Sequence, residues 1–191
     1  MTQLQRKPMS SAEFVAWEAK QEFKWEFDGF QPVAMNGGTF AHTAIQSNVI
    51  AALIARLRGK SCRPCGSDMR VPTGNGRYRY PDALVTCAPM RPDALDVPEP
   101  TVIFEVLSQS TEHNDRKIKL REYCSIPSLQ RYVMLEQDEA AATVITRIGA
   151  GWSLDLLDAT GTLVMPEIGV EIPIAELYAD VQFATGVENT V

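Results

Sequence analysis

Residues 101–107 read Thr101-Val102-Ile103-Phe104-Glu105-Val106-Leu107, an almost unbroken apolar run with one carboxylate inside it. A proline-rich stretch (89–100) precedes the run and a polar turn (108–111) follows it. A short, bounded, β-branched run of this kind predicts a central strand buried on both faces. Such a strand needs neighbours on either side and layers above and below, which excludes an all-helical bundle. Glu105 is the misfit. A carboxylate in a buried strand is costly unless a cation, a set of donors or a cleft compensates it.

The rest of the chain supplies the layers. Ser10 and Glu13 have capping-box spacing, and a short helix is expected over 11–20 with Phe14 and Trp17 on one face. Residues 22–27 alternate through Phe23, Trp25 and Phe27, and Asp28-Gly29 supplies a hairpin turn into a returning strand over 30–35. That strand ends at Asn36-Gly37-Gly38. Over 39–58, Ile45, Val49, Leu53 and Leu57 recur every four residues, predicting the longest helix, closed by Gly59. Strands are expected over 68–71, 80–86 and 101–107, a second helix over 112–124, and a strand over 131–135. Runs at 143–148, 152–157 and 162–165 suggest a C-terminal β-meander, with a short helix over 174–178. The expected fold class is therefore α/β with a mixed α+β sheet: a helix-strand-strand-strand-helix-strand core, an N-terminal β-hairpin and a C-terminal meander. With 191 residues, one domain over 1–191 is expected.

Asp82 has the same character as Glu105. It follows Tyr80-Pro81 and opens the apolar run Ala83-Leu84-Val85. Two carboxylates on neighbouring strands, offering oxygen donors only, suit a hard divalent cation. Singly, an Asp after Pro is usually a turn residue, and a strand Glu can pair with an Arg or Lys across the sheet. In the following helix Asp115, Lys119 and Tyr123 are spaced by four and share a face. The spacing alone allows a surface ion pair between Asp115 and Lys119, or a Lys119 aimed into the cleft between the carboxylates.

These pieces together resemble the Uma-type endonuclease family of the PD-(D/E)XK restriction-endonuclease-like superfamily. The matching segments are Trp25-Glu26-Phe27-Asp28-Gly29, His42, Pro81-Asp82, Glu105-Val106-Leu107-Ser108, Ser110-Thr111, Asp115 through Lys119 to Tyr123, and Arg131-Tyr132-Val133-Met134. The resemblance covers about residues 10–180. It implies Asp82 and Glu105 as metal ligands, with the backbone carbonyl of Val106 as a third. It implies magnesium, or manganese, as the metal. The superfamily lysine two residues after the glutamate is replaced here by Leu107. In the Uma-type pattern Lys119 takes that part, with Lys117 as the nearby rival. Glu26 and His42 match family positions as catalytic candidates, against the plainer readings of a polar strand residue and a helix-start residue. DNA as substrate and a homodimer are further implications.

Composition bears on the choice of function. The net charge of −6 is a penalty for a broad DNA-coating surface, though a small metal-centred site tolerates it. Arg56, Arg58, Lys60, Arg63, Arg70, Arg77 and Arg79 lie between the long helix and Asp82 and form a candidate basic stripe, or else a solvated loop. The start, MTQLQRKPMS, has no apolar run after its basic residues, so neither a signal peptide nor a membrane anchor is expected, and the location expected is cytoplasmic. Cys62, Cys65, Cys87 and Cys124 are accordingly expected to be reduced thiols. Cys62-x-x-Cys65 could be half a zinc site, but no second close pair completes it. Three readings follow: a metal-dependent DNA endonuclease, a non-catalytic dimeric scaffold that keeps the fold, and a hydrolase of another phosphate-containing substrate.

Overall fold

The computed structural model describes residues 8–35, 37–108 and 114–183, without the side chains of Asn75, Asn114 and Asp115. Helix α1 (Ser11–Glu18) starts at the expected capping box: Ser10 accepts from the Glu13 amide, and the Glu13 carboxylate accepts from the Ser10 amide at 2.8 Å. Its Phe14 ring stacks on Phe27 of β1 (Trp25–Phe27) at 4.8 Å. Strand β1 pairs with β2 (Pro32–Ala34), which is the expected hairpin. The long helix α2 (Phe40–Leu57) is capped by the Thr39 side chain and buries Ile45, Val49, Ala52, Leu53 and Leu57.

After α2 come β3 (Arg63–Gly66), β4 (Val71–Thr73), β5 (Arg77–Arg79), β6 (Ala83–Thr86) and β7 (Val102–Val106). A π-helical turn (Asn114–Lys119) leads into α3 (Leu120–Cys124), and β8 (Arg131–Leu135), β9 (Ala142–Ile148) and β10 (Gly151–Leu157) follow. The chain closes with β11 (Thr162–Met165), β12 (Val170–Pro173) and α4 (Ile174–Leu177). The main sheet has six strands in the order β10-β9-β8-β7-β6-β3, with β7 and β8 parallel and the other pairs antiparallel. A second sheet runs β2-β1-β5-β4, and β11 pairs with β12 alone. The mixed α+β class stands as expected.

Strand β7 is central and all five of its residues are buried. Val102, Phe104 and Val106 face α2, whereas Ile103 and Leu107 pack with Tyr123, Tyr132 and Met134 beneath α3. Period-two alternation therefore feeds two separate apolar layers.

Several local expectations change. The run over 80–86 is cut at Tyr80-Pro81-Asp82, so β5 and β6 belong to different sheets. Proline has no N–H for the ladder and marks the crossing point. The loop Gly74-Asn75-Gly76 is instead the turn of a β4–β5 hairpin. The C-terminal run divides: β9 and β10 pair, but β11 leaves the main sheet to pair with β12. Strand β3 was not anticipated. Ser110-Thr111, and the expected helix start at Glu112, lie outside the described residues.

The thiol expectation is corrected. Cys62 and Cys87 form a disulfide with Cα atoms 4.0 Å apart, while Cys65 and Cys124 are free. The β3–β6 register pairs Arg63 with Thr86, and one further step sets Cys62 opposite Cys87. The Cys62-x-x-Cys65 pair is thereby unavailable as half a zinc site.

Candidate active site

The site lies where β6 begins and β7 ends. The β6–β7 ladder closes at Ala83–Phe104, and one further step along that antiparallel register sets Asp82 opposite Glu105. Asp82 extends the ladder through its side chain: Oδ2 accepts the Val106 N–H at 2.7 Å. Two side chains one turn apart on α2 meet it. His42 Nε2 lies 3.3 Å from Asp82 Oδ2, and the Gln46 amide donates to the Asp82 carbonyl at 2.9 Å. Gly38 allows this approach. A Cβ there would fall 2.7 Å from His42 Nδ1, closer than side chains tolerate.

Glu105 is 3% exposed. Its Oε1 accepts from Lys119 Nζ at 2.9 Å and from the Tyr123 hydroxyl at 2.8 Å. Lys119 and Tyr123 are four residues apart and reach the same oxygen, as helical spacing allows. Lys119 therefore points inward, and the Asp115–Lys119 surface pair concerns a side chain outside those described. Lys117 is exposed. Burial first, and the Glu105 charge second, push the Tyr123 hydroxyl well above its ordinary pKa. It stays a proton donor throughout the neutral range.

Glu26 joins this group from the second sheet. Lys119 Nζ lies 3.5 Å from Glu26 Oε1, so the ammonium sits between two carboxylates. The β1–β5 register pairs Phe27 with Tyr78, and the next step sets Glu26 beside Arg79. Arg79 donates to Glu26 at 2.9 Å and to Glu122 at 2.7 and 2.9 Å. Arg77 adds a bond to Glu122 at 3.0 Å. Burial works against the Arg79 charge, but the carboxylates of Glu122 and Glu26 outweigh it and raise the guanidinium above its ordinary value. The network ties the helix that carries Lys119 to the sheet that carries Glu26.

All the candidate residues are thus brought together: Asp82, Glu105, Val106, Lys119, His42 and Glu26. Sequence reasoning missed Glu122 and Gln46, took Arg79 only as part of the basic stripe, and gave Tyr123 no role. Gln46 falls one helical turn after His42, a visible signal. Arg79 and Glu122 are 43 residues apart and carried none. Of the candidate basic stripe, Arg58, Lys60 and Arg63 are exposed, whereas the other four are engaged by carboxylates. Arg56 pairs with Glu176, Arg70 with Glu18 and Asp96, and Arg77 and Arg79 with the carboxylates just described.

The donor chemistry fits a hard divalent cation in kind. Asp82 and Glu105 offer carboxylate oxygens from directly opposed positions, and the backbone of Val106 lies between them. Among the described residues no three His, Cys, Asp or Glu side chains group as a metal site. Remaining coordination positions would fall to a backbone carbonyl, water and substrate oxygens, as magnesium accepts. The surrounding charge agrees: Glu105, Glu26 and Glu122 pair with Lys119, Arg77 and Arg79, while Asp82 meets His42.

The mixed sheet presents opposed carboxylates at a strand end, with a helical lysine bonded to Glu105, in keeping with the restriction-endonuclease-like fold expected from the sequence. A crystal structure from Anabaena variabilis, described as a "putative nuclease belonging to DUF820", shares this fold with a TM-score of 0.75 at 17% identity, over 90% of this chain and 98% of that one. The chain belongs to the Uma2 family, whose model, described as "Putative restriction endonuclease", matches residues 11–175. Two relatives from Synechocystis sp. (strain ATCC 27184 / PCC 6803 / Kazusa) are similar along much of the chain. Uncharacterized protein slr1290 is 30% identical over 178 residues, 92% of this chain and 94% of its own length. Uncharacterized protein sll1609 is 29% identical over 135 residues, 69% of this chain and 76% of its own. Among the described residues no helix is long and apolar enough to cross a membrane.

Proposed function

We propose that this protein is a metal-dependent endonuclease that hydrolyses DNA phosphodiester bonds. The observation that carries the reading is Glu105. This buried carboxylate stands opposite Asp82 and is held by Lys119 and Tyr123. Ionic groups in a buried strand are expensive, and this one sits near the end of its strand opposite a second carboxylate. Membership of the Uma2 family supports the same reading.

Asp82 and Glu105, with the carbonyl of Val106, would hold a magnesium or manganese ion. When bound, such an ion polarises the phosphate and lowers the pKa of a coordinated water. The chain's own groups have separate parts. Tyr123 and Lys119 fix the rotamer of Glu105. Lys119 offsets negative charge that develops on the phosphate. His42, against Asp82 Oδ2, would carry a proton to or from the reacting oxygens. Glu26 and Arg79 act on Lys119 by position.

One observation favours the rival reading of a non-catalytic scaffold. Lys119 is already engaged by two carboxylates, at 2.9 and 3.5 Å, and is 8% exposed. Calorimetric titration with magnesium and manganese, run beside plasmid cleavage, separates the two. Wild type should bind and cut, and Asp82→Asn and Glu105→Gln should lose both while keeping the wild-type circular dichroism spectrum. A folded wild type that binds no ion at millimolar concentration defeats the metal site. Ion binding with no cleavage of any DNA form leaves the scaffold as the better account.

A further inference from the structure

The two edges of the main sheet are built differently. Strand β3, at one edge, is four residues long and contains Arg63 and Pro64, a charge and a missing donor of the kind that blocks edge pairing. Strand β10, at the other edge, has seven residues, Gly151-Trp152-Ser153-Leu154-Asp155-Leu156-Leu157. It has no Lys, Arg or Pro, and its ladder to β9 runs through seven consecutive pairs without a bulge. Among the described residues no other element hydrogen-bonds to its outer backbone edge. Leu154 is 60% exposed and Leu156 75%. Both lie on the Trp152 side of the strand, facing away from α2, because their β9 partners are Ile145 and Thr143. A long, unbulged edge with exposed apolar side chains is a template for another strand.

We propose that this edge joins two copies of the chain, β10 pairing antiparallel with its own two-fold mate centred on Leu154. The sequence is self-complementary in that register. Leu154 faces Leu154 of the other copy, and Trp152 faces Leu156 on the same side of the sheet. Directly opposed side chains share a face and supply much of the pairing energy. Asp155, the one charge, falls opposite Ser153 rather than opposite itself. A shift that put Asp155 on the axis would set two carboxylates against each other. The contact is isologous and closed, so it ends at a dimer and does not propagate into a fibre. The two six-stranded sheets become one continuous sheet. The inference does not depend on the nuclease reading.

Sedimentation of the full chain over a dilution series tests the association. The expected mass at the concentrated end is twice 21.1 kDa. Leu154→Lys should return the mass to that of one chain, with the melting temperature of the dilute wild type unchanged. Leu154→Cys tests the register, because residues on the axis meet themselves. Mild oxidation should cross-link the Leu154→Cys thiol to its counterpart, located by peptide mapping away from Cys65 and Cys124. Ser153→Cys, one step off the axis, should not link to itself. A monomer at every concentration overturns the proposal. So does a dimer that survives Leu154→Lys, or one in which Ser153→Cys links and Leu154→Cys does not.

Discussion

The two faces of β7 hold the same backbone in different chemistry. Toward α2 the strand offers Val102, Phe104 and Val106 to an apolar layer. Toward α3 it offers Ile103, Glu105 and Leu107, and the middle position carries a charge 3% exposed. One face gains from transfer of apolar area alone. The other buries a carboxylate and surrounds it with Lys119, Tyr123, Glu26, Arg79 and Glu122 to make that tolerable. Adjacent residues of one strand thus divide stability from chemistry. A buried ion pair is weak evidence of stabilisation, because desolvation cancels much of the attraction. The charge on this face therefore adds little to what holds the strand in place.

Substitution of neighbours on the two faces should break the comparison most sharply. Phe104→Ala removes a fully buried ring and should cost about 3–5 kcal/mol of unfolding free energy, with cleavage per folded molecule unchanged. Glu105→Gln keeps the shape and should leave the fold intact, while cleavage falls on the order of a thousandfold. Urea melts and plasmid assays on the same samples measure both. If Phe104→Ala destroys cleavage while folded, or Glu105→Gln spares it, the division of labour fails.

The next largest effect concerns the network behind the site. Arg79→Ala leaves Glu122, whose side chain is 4% exposed, with one guanidinium in place of two. The expected loss is about 3 kcal/mol, from an incompletely compensated buried charge. The double variant Arg79→Met with Glu122→Leu should recover much of that loss, because the buried Glu122 charge goes with its partner, leaving Arg77 with a side chain 35% exposed and Glu26 still beside Lys119. A double-mutant cycle measures the coupling. Additive effects would mean that the pair contributes nothing beyond two independent side chains.

Which parts of this were legible follows from range. Glu105 was legible because a charge inside an apolar strand is visible in seven residues. Lys119 and Tyr123 could be placed on one helix face by counting. The capping box at Ser10 and the α2 stripe were equally local. Strand β3, Arg63-Pro64-Cys65-Gly66, was not legible, since Pro and Gly argue against a strand. It exists because Ala83–Thr86 presents a ladder to it. The Cys62–Cys87 bond depends on that same hidden register. Arg77 and Arg79 looked like part of a basic stripe because nothing local reveals their shared partner Glu122, 45 and 43 residues ahead. Asp82 and Glu105 could be named from the sequence, but their opposition across the ladder could not be derived until the β6–β7 register was known.

Alkaline pH offers a graded test of the charged face. Tyr80 and Tyr123 both have raised pKa values, through burial first and then through the carboxylates they donate to, Glu18 and Glu105. Burial also pushes the Cys124 thiol up to about 11. Each of these groups holds its proton more tightly folded than unfolded. The stability linked to it is complete below the unfolded pKa, near 9 for the thiol and 10 for the phenols, and is lost as pH rises beyond it. The melting temperature should hold to about pH 9 and then decline, more steeply above 10. Tyr123→Phe should make the decline shallower. A melting temperature flat to pH 11 would mean that these protons are not held by the fold.

The smallest effect decides the part played by His42. Its ring passes so close to Gly38 that an added Cβ would lie 2.7 Å from Nδ1 and 2.9 Å from Cγ. The atom in the way belongs to a side chain, so Gly38→Ala can be accommodated by rotating the imidazole away from Asp82. The strain should cost about 1 kcal/mol, at the low end for overpacking. If His42 carries a proton in the reaction, cleavage per folded molecule should fall about a hundredfold, the low end for removing a general acid or base, and the near-neutral limb of its pH profile should flatten. His42→Gln should reproduce the flattened limb without the packing strain. If His42 is only a residue that starts α2, Gly38→Ala should shift the melting temperature and leave both rate and profile where they were. The same small cost would then mark a packing detail on the apolar side of the strand, and proton transfer at the site would have to be assigned to another group.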